Sequence, residues 1–336
     1  MIQMANRTVF WNAGSANLLD GTEMVLREKP KPSAGHVVVR MTTRPVYVEE
    51  FVGLELRSVY SRKVVVGIDG CGLVEELGEG ASKFNLGQRV HPFFVSSLYD
   101  EQGEGSWQDY TVVPEEDLLA VPDSIPNEVA AQLENAWTAY ALVLDLGLPE
   151  GEYLLQTAAG SSIGRWVIRL AKRWGLKSIN IVRRDEVKEE LKDLGADEVI
   201  NSTTEDIVAR VKEITGGKGV YVGIDCVGGP ISKKVASCIR DGGQMLAIGT
   251  LESEEFIISL IDLFRGIQLK NWDILPHCIQ AKDLRDKEVM EVLKLFEQKI
   301  LESRPIWKKF PLKNFKEAIL EVQASRGRQG IVMMTS

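Results

Sequence analysis

The stretch Leu154-Leu155-Gln156-Thr157-Ala158-Ala159-Gly160-Ser161-Ser162-Ile163-Gly164-Arg165-Trp166-Val167-Ile168 decides how this chain is read. A short apolar run, Tyr153 to Gln156, enters a turn of small residues. It leaves as a segment with Trp166, Ile168, Leu170 and Ala171 at helical spacing. The pattern is a strand, a tight turn and a helix. Small residues let a backbone approach a pyrophosphate, and a helix N-terminus offers unpaired N–H groups and a favourable dipole. Gly160, Ser161, Ser162, Ile163 and Gly164 are therefore candidate cofactor contacts. Their glycines do not follow the GxGxxG spacing, so a plain strand-to-helix connection is the competing reading of the turn alone.

The flanks decide between the two. Lys177 to Val182 reads as the next strand, and Arg183-Arg184 follows it. In a dinucleotide-binding unit an acidic residue about 20 residues past the turn holds the ribose hydroxyls of NAD. Two guanidinium groups at that place would attract a 2′-phosphate instead, so NADPH is expected rather than NADH. A solvated surface pair is the alternative for Arg183 and Arg184. Further along, helix and strand alternate: Glu186 to Leu194 capped by Gly195, Glu198 to Ile200, Glu205 to Ile214, Val220 to Cys226, Ile231 to Ile239, and Gln244 to Ile248. Such alternation predicts βαβ units and a parallel sheet. Gly242-Gly243 and Ile248-Gly249-Thr250 are expected on the ligand-binding rim, beyond the carboxyl ends of the strands. Cys226 reads as a small buried filler, with no histidine near it in sequence.

The first third differs. Val37 to Met41 and Val64 to Val66 are β-branched runs, and Gly67, Gly70, Gly72, Gly78, Gly80 and Gly87 punctuate what lies after them. That density predicts a tightly turning small barrel. Val121-Pro122-Asp123-Ser124-Ile125-Pro126 marks a boundary. After Trp272 comes a helical stretch, Asp286 to Lys299, and a strand-like tail from Gly330. The expected organisation is α/β: one domain from 1–125 and 270–336, interrupted by a doubly wound domain at 126–269.

Composition bounds the function. The chain has 336 residues, about two domains at roughly 150 residues each. It is 44% hydrophobic and 26% charged with a net charge of -8, which argues against bulk attraction to nucleic acid or anionic membrane. No apolar run is long enough to span a bilayer, and the N-terminus lacks the apolar region of a signal peptide, so a cytoplasmic protein is expected. Cys71, Cys226, Cys238 and Cys278 are scattered, and His36, His91 and His277 have no ligand spacing to them. Neither a disulfide framework nor a metal site is predicted. The histidines read as surface or packing residues.

Several motifs together resemble the medium-chain dehydrogenase/reductase superfamily: Val66-Gly67-Ile68-Asp69-Gly70-Cys71-Gly72, Phe84-Asn85-Leu86-Gly87-Gln88-Arg89-Val90, Leu194-Gly195-Ala196-Asp197 and Asp225-Cys226-Val227-Gly228-Gly229. The resemblance covers nearly the whole chain and implies a GroES-like β-barrel catalytic domain beside a Rossmann domain. Ile68 stands where zinc-dependent members carry a histidine ligand, and the group of four structural cysteines is absent, which implies the zinc-independent branch. Within that branch the cofactor turn and the run through Arg184 resemble mitochondrial-type 2-enoyl thioester reductases. Asn135-Ala136-Trp137-Thr138-Ala139-Tyr140 is similar to the family's Asn-Pro-x-Thr-Ala-Tyr run.

The resemblance implies that Asn135 and Thr138 sit near the nicotinamide, with Gly249, Thr250 and Trp272. It places Tyr60 as the proton donor to Cα after hydride reaches Cβ, with Tyr47 as a second candidate. It also implies a homodimer. The chain departs from the pattern after Arg44-Pro45, where Val46-Tyr47-Val48-Glu49 replaces an Asn-Pro-x-Asp-like run. An enoyl thioester is the first expected substrate. A quinone or α,β-unsaturated carbonyl is the second, and an NADPH-binding structural or regulatory protein with little turnover is the reading from another class. Arg304, Lys308, Lys309, Arg326 and Arg328 could serve a CoA substrate or form a solvated face.

Overall fold

A computed structural model describes residues 5–47, 50, 54, 63–94 and 104–336. Tyr60, the expected proton donor, lies outside the described residues. The chain folds into two compact units. One is built from described residues of Met1–Asn135 with Cys278–Ser336, and the other is Ala136–His277.

Among the described residues the first unit opens with eight strands: β1 (Ala5–Asn12), β2 (Thr22–Glu28), β3 (His36–Val46), β4 (Lys63–Val65), β5 (Cys71–Leu77), β6 (Arg89–Pro92), β7 (Tyr110–Pro114) and β8 (Leu118–Ala120). β1 lies between β2 and β4 in an antiparallel sheet. β3 pairs with both β5 and β7, and its apolar residues Val37, Val39 and Met41 are fully buried with Val74, Val90 and Val113. Alternation of apolar and polar residues puts one face of each strand in this core.

The second unit carries β9 (Tyr153–Gln156), β10 (Lys177–Val182), β11 (Glu198–Asn201), β12 (Val220–Asp225), β13 (Ile239–Ala247) and β14 (Gln268–Asn271). All pairs are parallel, and the order is β11-β10-β9-β12-β13-β14. Numbered from β9, that is 3-2-1-4-5-6, the doubly wound order whose ligand crevice lies where the winding reverses, between β9 and β12. Helices Ser162–Arg173, Lys188–Leu194, Ile207–Ile214 and Pro230–Cys238 form the crossovers. Leu155, Ile179, Ile181, Ile200, Ile207, Val211, Val235 and Met245 form a dry core between sheet and helices. Gly195 ends its helix in the left-handed conformation at φ 107, as a C-cap glycine should.

The chain then returns to the first unit. Helix Lys282–Glu297 precedes β15 (Ile306–Pro311), helix Phe315–Ser325 and β16 (Ile331–Thr335). β15 and β16 are parallel, and β16 pairs antiparallel with β3, so the seven-stranded sheet takes strands from both ends of the chain.

The elements differ from the sequence reading in several places, among them the helix read as Asp286 to Lys299, which runs Lys282–Glu297. The helix after the cofactor turn begins at Ser162, before the Trp166-to-Ala171 spacing, because Ser161 caps it. β13 begins at Ile239, so Gly242 and Gly243 lie in its first half, away from the carboxyl rim. The stretch after the boundary at Pro126 forms two helices, Asn127–Ala130 and Leu133–Asp145. Helix Phe315–Ser325 and β15 have no counterpart in the sequence reading; Ala318, Ile319 and Val322 bury one face of that helix on Val46, Val332 and Met334.

Candidate functional site

The cofactor turn sits at the end of β9, the first strand of the doubly wound sheet. Ala158 holds φ 50, a conformation that side chains rarely adopt, and Ser161 N–H closes the turn on Ala158 O at 2.9 Å. The Ser161 hydroxyl then accepts Gly164 N–H at 3.0 Å and starts the helix. A Cβ at Gly164 would stand 2.7 Å from Ala159 Cα and 2.8 Å from Ala159 O, so only glycine lets the helix come this close to the turn. A Cβ at Gly160 would meet nothing within 4 Å, so the turn has an open side. The amides of Ser162 and Ile163 stand in the first helical turn, where helix geometry supplies no acceptor. An open turn, uncommitted amides and a helix N-terminus fit a dinucleotide pyrophosphate.

Buried polar side chains brace the turn from below. Gln156 Nε2 donates to Gly164 O at 2.9 Å and to Asn180 Oδ1 at 2.7 Å. Arg165 Nε donates to Gly160 O at 3.0 Å, and its guanidinium pairs with Glu190. Thr157 Oγ1 donates to Asp225 Oδ1 at 2.9 Å. Fully buried Asp225 also accepts from Val227 N–H at 2.9 Å, Gly228 N–H at 3.4 Å and Ser232 Oγ at 2.6 Å. One carboxylate thus joins the ends of β9 and β12 at the winding reversal. Sequence reasoning did not single out Gln156, Arg165 or Asp225 for these roles. Gln156, Asn180 and Asp225 did carry a signal, each being a polar residue next to an apolar neighbour in its strand.

The other expected residues of this unit gather at the same rim. Arg183 and Arg184 follow β10, both exposed, where the adenosine ribose of a doubly wound unit falls. Arg183 pairs with Glu252, while Arg184 has no ionic partner among the described residues. Gly249 and Thr250 follow β13, and a Cβ at Gly249 would meet Cys226 O at 3.2 Å. Cys226 is half-buried at this rim rather than a core filler. Trp272 follows β14; its N–H donates to Ala247 O at 3.1 Å, and its indole donates to Asp145 Oδ2 at 2.8 Å. His277 Nε2 lies 3.0 Å from the same carboxylate oxygen. Thr138 is on helix Leu133–Asp145 in this unit; Asn135, one turn earlier on that helix, belongs to the first unit.

In the first unit Asn135 N–H reaches Asp69 Oδ2 at 3.4 Å, and Tyr47 Oη donates to the same oxygen at 2.9 Å. Asp69 is buried completely, and burial pushes its carboxyl up to about 8. His91 Nδ1 lies 3.7 Å from Asp69 Oδ1 and 3.1 Å from Ala130 O. The His91 ring has no exposure, and burial pushes its pKa down to about 4, so it is a neutral packing residue. Tyr47 also walls a mostly apolar pocket of about 200 Å³ with Leu18, Val46, Ile319 and Val322. Four of the five basic residues singled out in the C-terminal return are engaged. Lys308 pairs with Glu321, Lys309 with Glu128, and Arg304 and Arg328 cap backbone carbonyls.

Two family models match the chain: an alcohol dehydrogenase GroES-like domain over residues 33–123 and a zinc-binding dehydrogenase over residues 162–297. A mitochondrial enoyl-[acyl-carrier-protein] reductase of Arabidopsis thaliana is 31% identical over 267 residues, 74% of this chain and 68% of that protein. The chain belongs to the medium-chain dehydrogenase/reductase superfamily.

A second member, the enoyl-[acyl-carrier-protein] reductase of Caenorhabditis elegans mitochondria, is 34% identical over 67% of this chain. That match spans 64% of the nematode protein, slightly under two thirds of its length. Among solved structures, a Bacillus thuringiensis protein assigned as an NADPH:quinone reductase superposes with a TM-score of 0.89 at 25% identity, covering 99% of each chain. This superfamily is one of oxidoreductases, and the chain has its GroES-like and Rossmann-type folds. Some members hold zinc, but the described residues of this chain do not fit that role. Among the described residues no three His, Cys, Asp or Glu side chains come together. Cys71 is a buried thiol pushed up to about 12, with its sulfur on Asn127. Among the described residues no helix is long and apolar enough to cross a membrane.

Proposed function

We propose that the chain is an NADPH-dependent reductase of an activated C=C bond, with a 2-enoyl thioester as its substrate. The observation that carries the cofactor half is the pair Arg183-Arg184 at the end of the second strand of the doubly wound sheet. There an acidic residue would select NAD, and guanidinium groups select a 2′-phosphate. The substrate half rests on the identity with mitochondrial enoyl-[acyl-carrier-protein] reductases.

In this reading Gly160, Ser161, Ser162, Ile163 and Gly164 receive the pyrophosphate. Asn135, Thr138, Gly249, Thr250 and Trp272 serve the nicotinamide end. The bound dinucleotide supplies the hydride that reaches Cβ. Tyr60 supplies the proton to Cα, and hydrogen bonds to the thioester oxygen stabilise the developing enolate.

The quinone reading stays beside this one because of the near-complete likeness to the Bacillus protein. A homodimer is part of the proposal. β14 is an exposed edge strand, and the neighbouring Leu260, Ile261, Leu263 and Phe264 are between 51% and 82% exposed. An unpaired edge beside an apolar patch calls for a partner, and a second copy would pair edge to edge.

Purified protein assayed for NADPH oxidation with crotonyl-CoA, a simple enal and a quinone separates the readings. Turnover of crotonyl-CoA is expected. Quinone turnover with none on crotonyl-CoA would overturn the thioester assignment, and NADPH binding without turnover on any acceptor would leave the binding-protein reading. Undiminished enoyl reduction by Tyr60→Phe would remove the proton donor.

A further inference from the structure

The Arg183–Glu252 ion pair occupies an unusual place. Arg183 follows β10, and Glu252 follows β13. Between those strands lie β9 and β12, the two that flank the winding reversal. Strands β10 and β13 are three spacings apart, roughly 14 Å. The two side chains therefore meet across the crevice above the cofactor turn.

The Glu252 backbone is anchored. Leu251 N–H donates to Cys226 O at 3.1 Å, Glu252 N–H to Val227 O at 2.9 Å, and Ser253 N–H to Val227 O at 3.1 Å. Gly229 N–H returns to Glu255 O at 2.6 Å. The carboxylate is thus held over the crevice by a loop stitched to the end of β12. Arg183 is on the opposite bank. Arg184 beside it has no ionic partner among the described residues, and Lys188 beyond is committed to Asp185 and Glu205. Both partners of the strap are at least half exposed, at 60% and 50%, so exchange for another anion needs no burial change.

We propose that this pair is a strap across the cofactor crevice that a 2′-phosphorylated nucleotide opens and its unphosphorylated counterpart does not, making Glu252 a specificity-determining residue. The inference rests on the NADPH reading above. A phosphate monoester carries more charge than a carboxylate and binds a guanidinium bidentately, so it displaces Glu252 from Arg183. Glu252 then faces the incoming phosphate as a like charge on the far bank. NADH offers no anion at that position and leaves the pair closed. Glu252 therefore weakens binding of the phosphorylated cofactor, while Arg183 and Arg184 favour it.

The test is calorimetric titration of the wild type, Glu252→Gln and Glu254→Gln with NADPH, NADH and adenosine 2′,5′-bisphosphate. Glu254 is an exposed carboxylate two residues on and controls for general charge. The Glu252→Gln variant should bind NADPH and the bisphosphate about threefold to tenfold more tightly, the range an exposed ion pair and one removed like charge allow. NADH affinity should move less than about twofold, and Glu254→Gln should change none of the three. Equal tightening of NADPH and NADH, no change, or weaker NADPH binding would each overturn the strap. A wild type that ignores the bisphosphate and binds NADPH no better than NADH would instead refute the cofactor reading, and the strap with it.

Discussion

Replacing Asp225 by alanine and by asparagine tests whether one buried carboxylate holds the rim of the Rossmann-type unit together. The carboxylate has no exposure and accepts four hydrogen bonds, from Thr157 Oγ1, Ser232 Oγ and the amides of Val227 and Gly228. Alanine strands all four donors. The two hydroxyls can turn elsewhere, but the two amides cannot. At about 1–3 kcal/mol for each buried donor left unmet, the loss should be about 3–5 kcal/mol. Asparagine keeps a carbonyl oxygen for the Oδ1 donors, and its NH2 donates to Ser232 once that hydroxyl rotates to accept. Only the charge assistance is lost, about 1 kcal/mol. Urea unfolding followed by a probe in the Rossmann-type unit measures both, with an unchanged m-value as the check that compactness is retained. If asparagine costs as much as alanine, the carboxylate charge rather than its acceptor geometry matters. If alanine costs under about 1 kcal/mol, the rim is held by something else.

Three further outcomes follow from the same geometry. Gly164→Ala places a methyl 2.7 Å from Ala159 Cα, so about 1–3 kcal/mol of overpacking and a loss of NADPH affinity are expected; a variant with wild-type melting and NADPH binding would contradict the close approach. Asp69 ionises near 4 when unfolded and near 8 when folded, so it adds stability at low pH that is lost as pH rises through that window. His91, lowered to about 4 from about 6.5, has the opposite slope below about pH 6.5, so the Asp69 fall should be visible alone between about pH 6.5 and 8. Asp69→Asn should flatten it, and an unchanged stability–pH slope would count against the raised carboxyl. Phe264→Glu with Ile261→Glu should convert a homodimer to monomer by sedimentation without loss of fold; a dimer that survives both substitutions pairs through another face.

The Rossmann-type unit is legible in the sequence because its elements are set by local rules. Strand Lys177–Val182 and the Gly195 cap follow from apolar spacing and one left-handed residue, neither of which needs a distant partner. Helix Phe315–Ser325 obeys the same local rule, with Phe315, Ala318, Ile319 and Val322 at i, i+3, i+4 and i+7. What the sequence does not show is its partners, Val46, Val332 and Met334, the first of them far along the chain. Boundaries slip where a side chain acts at a distance of a few residues, as at the Ser161 cap. Gly242-Gly243 looks like a rim turn but lies inside β13, because two glycines read alike in a turn and in an irregular strand; β12 and β13 shift register between Val220 and Val222.

The candidate site divides along the same line. Its cofactor half is made of backbone amides, small residues and strand ends, features that a fold imposes and that short sequence patterns record. Its substrate half is made of side chains whose roles depend on what surrounds them. Arg44 is the clearest case. It stands at the edge of the stretch that departs from the family pattern, and a cation at that place invites a role in binding an anionic substrate. The side chain has no exposure. Its Nε donates to Ser106 O at 2.8 Å, and one of its amino nitrogens donates to Gln108 O at 2.9 Å, Met41 O at 3.2 Å and Ser336 Oγ at 3.1 Å. Burial lowers its pKa to about 10, and no carboxylate pairs with it directly among the described residues. Arg44 therefore pins β3 and the last residue of the chain to the Ser106–Gln108 segment rather than reaching for substrate. The polar chemistry at the end of β3 falls instead to Tyr47, whose hydroxyl is tied to Asp69 and whose ring walls the apolar pocket. The departure from the family pattern after Arg44-Pro45 thus puts Tyr47, rather than the buried Arg44, beside the apolar pocket, while the turn from Ala158 to Gly164 belongs to the other unit.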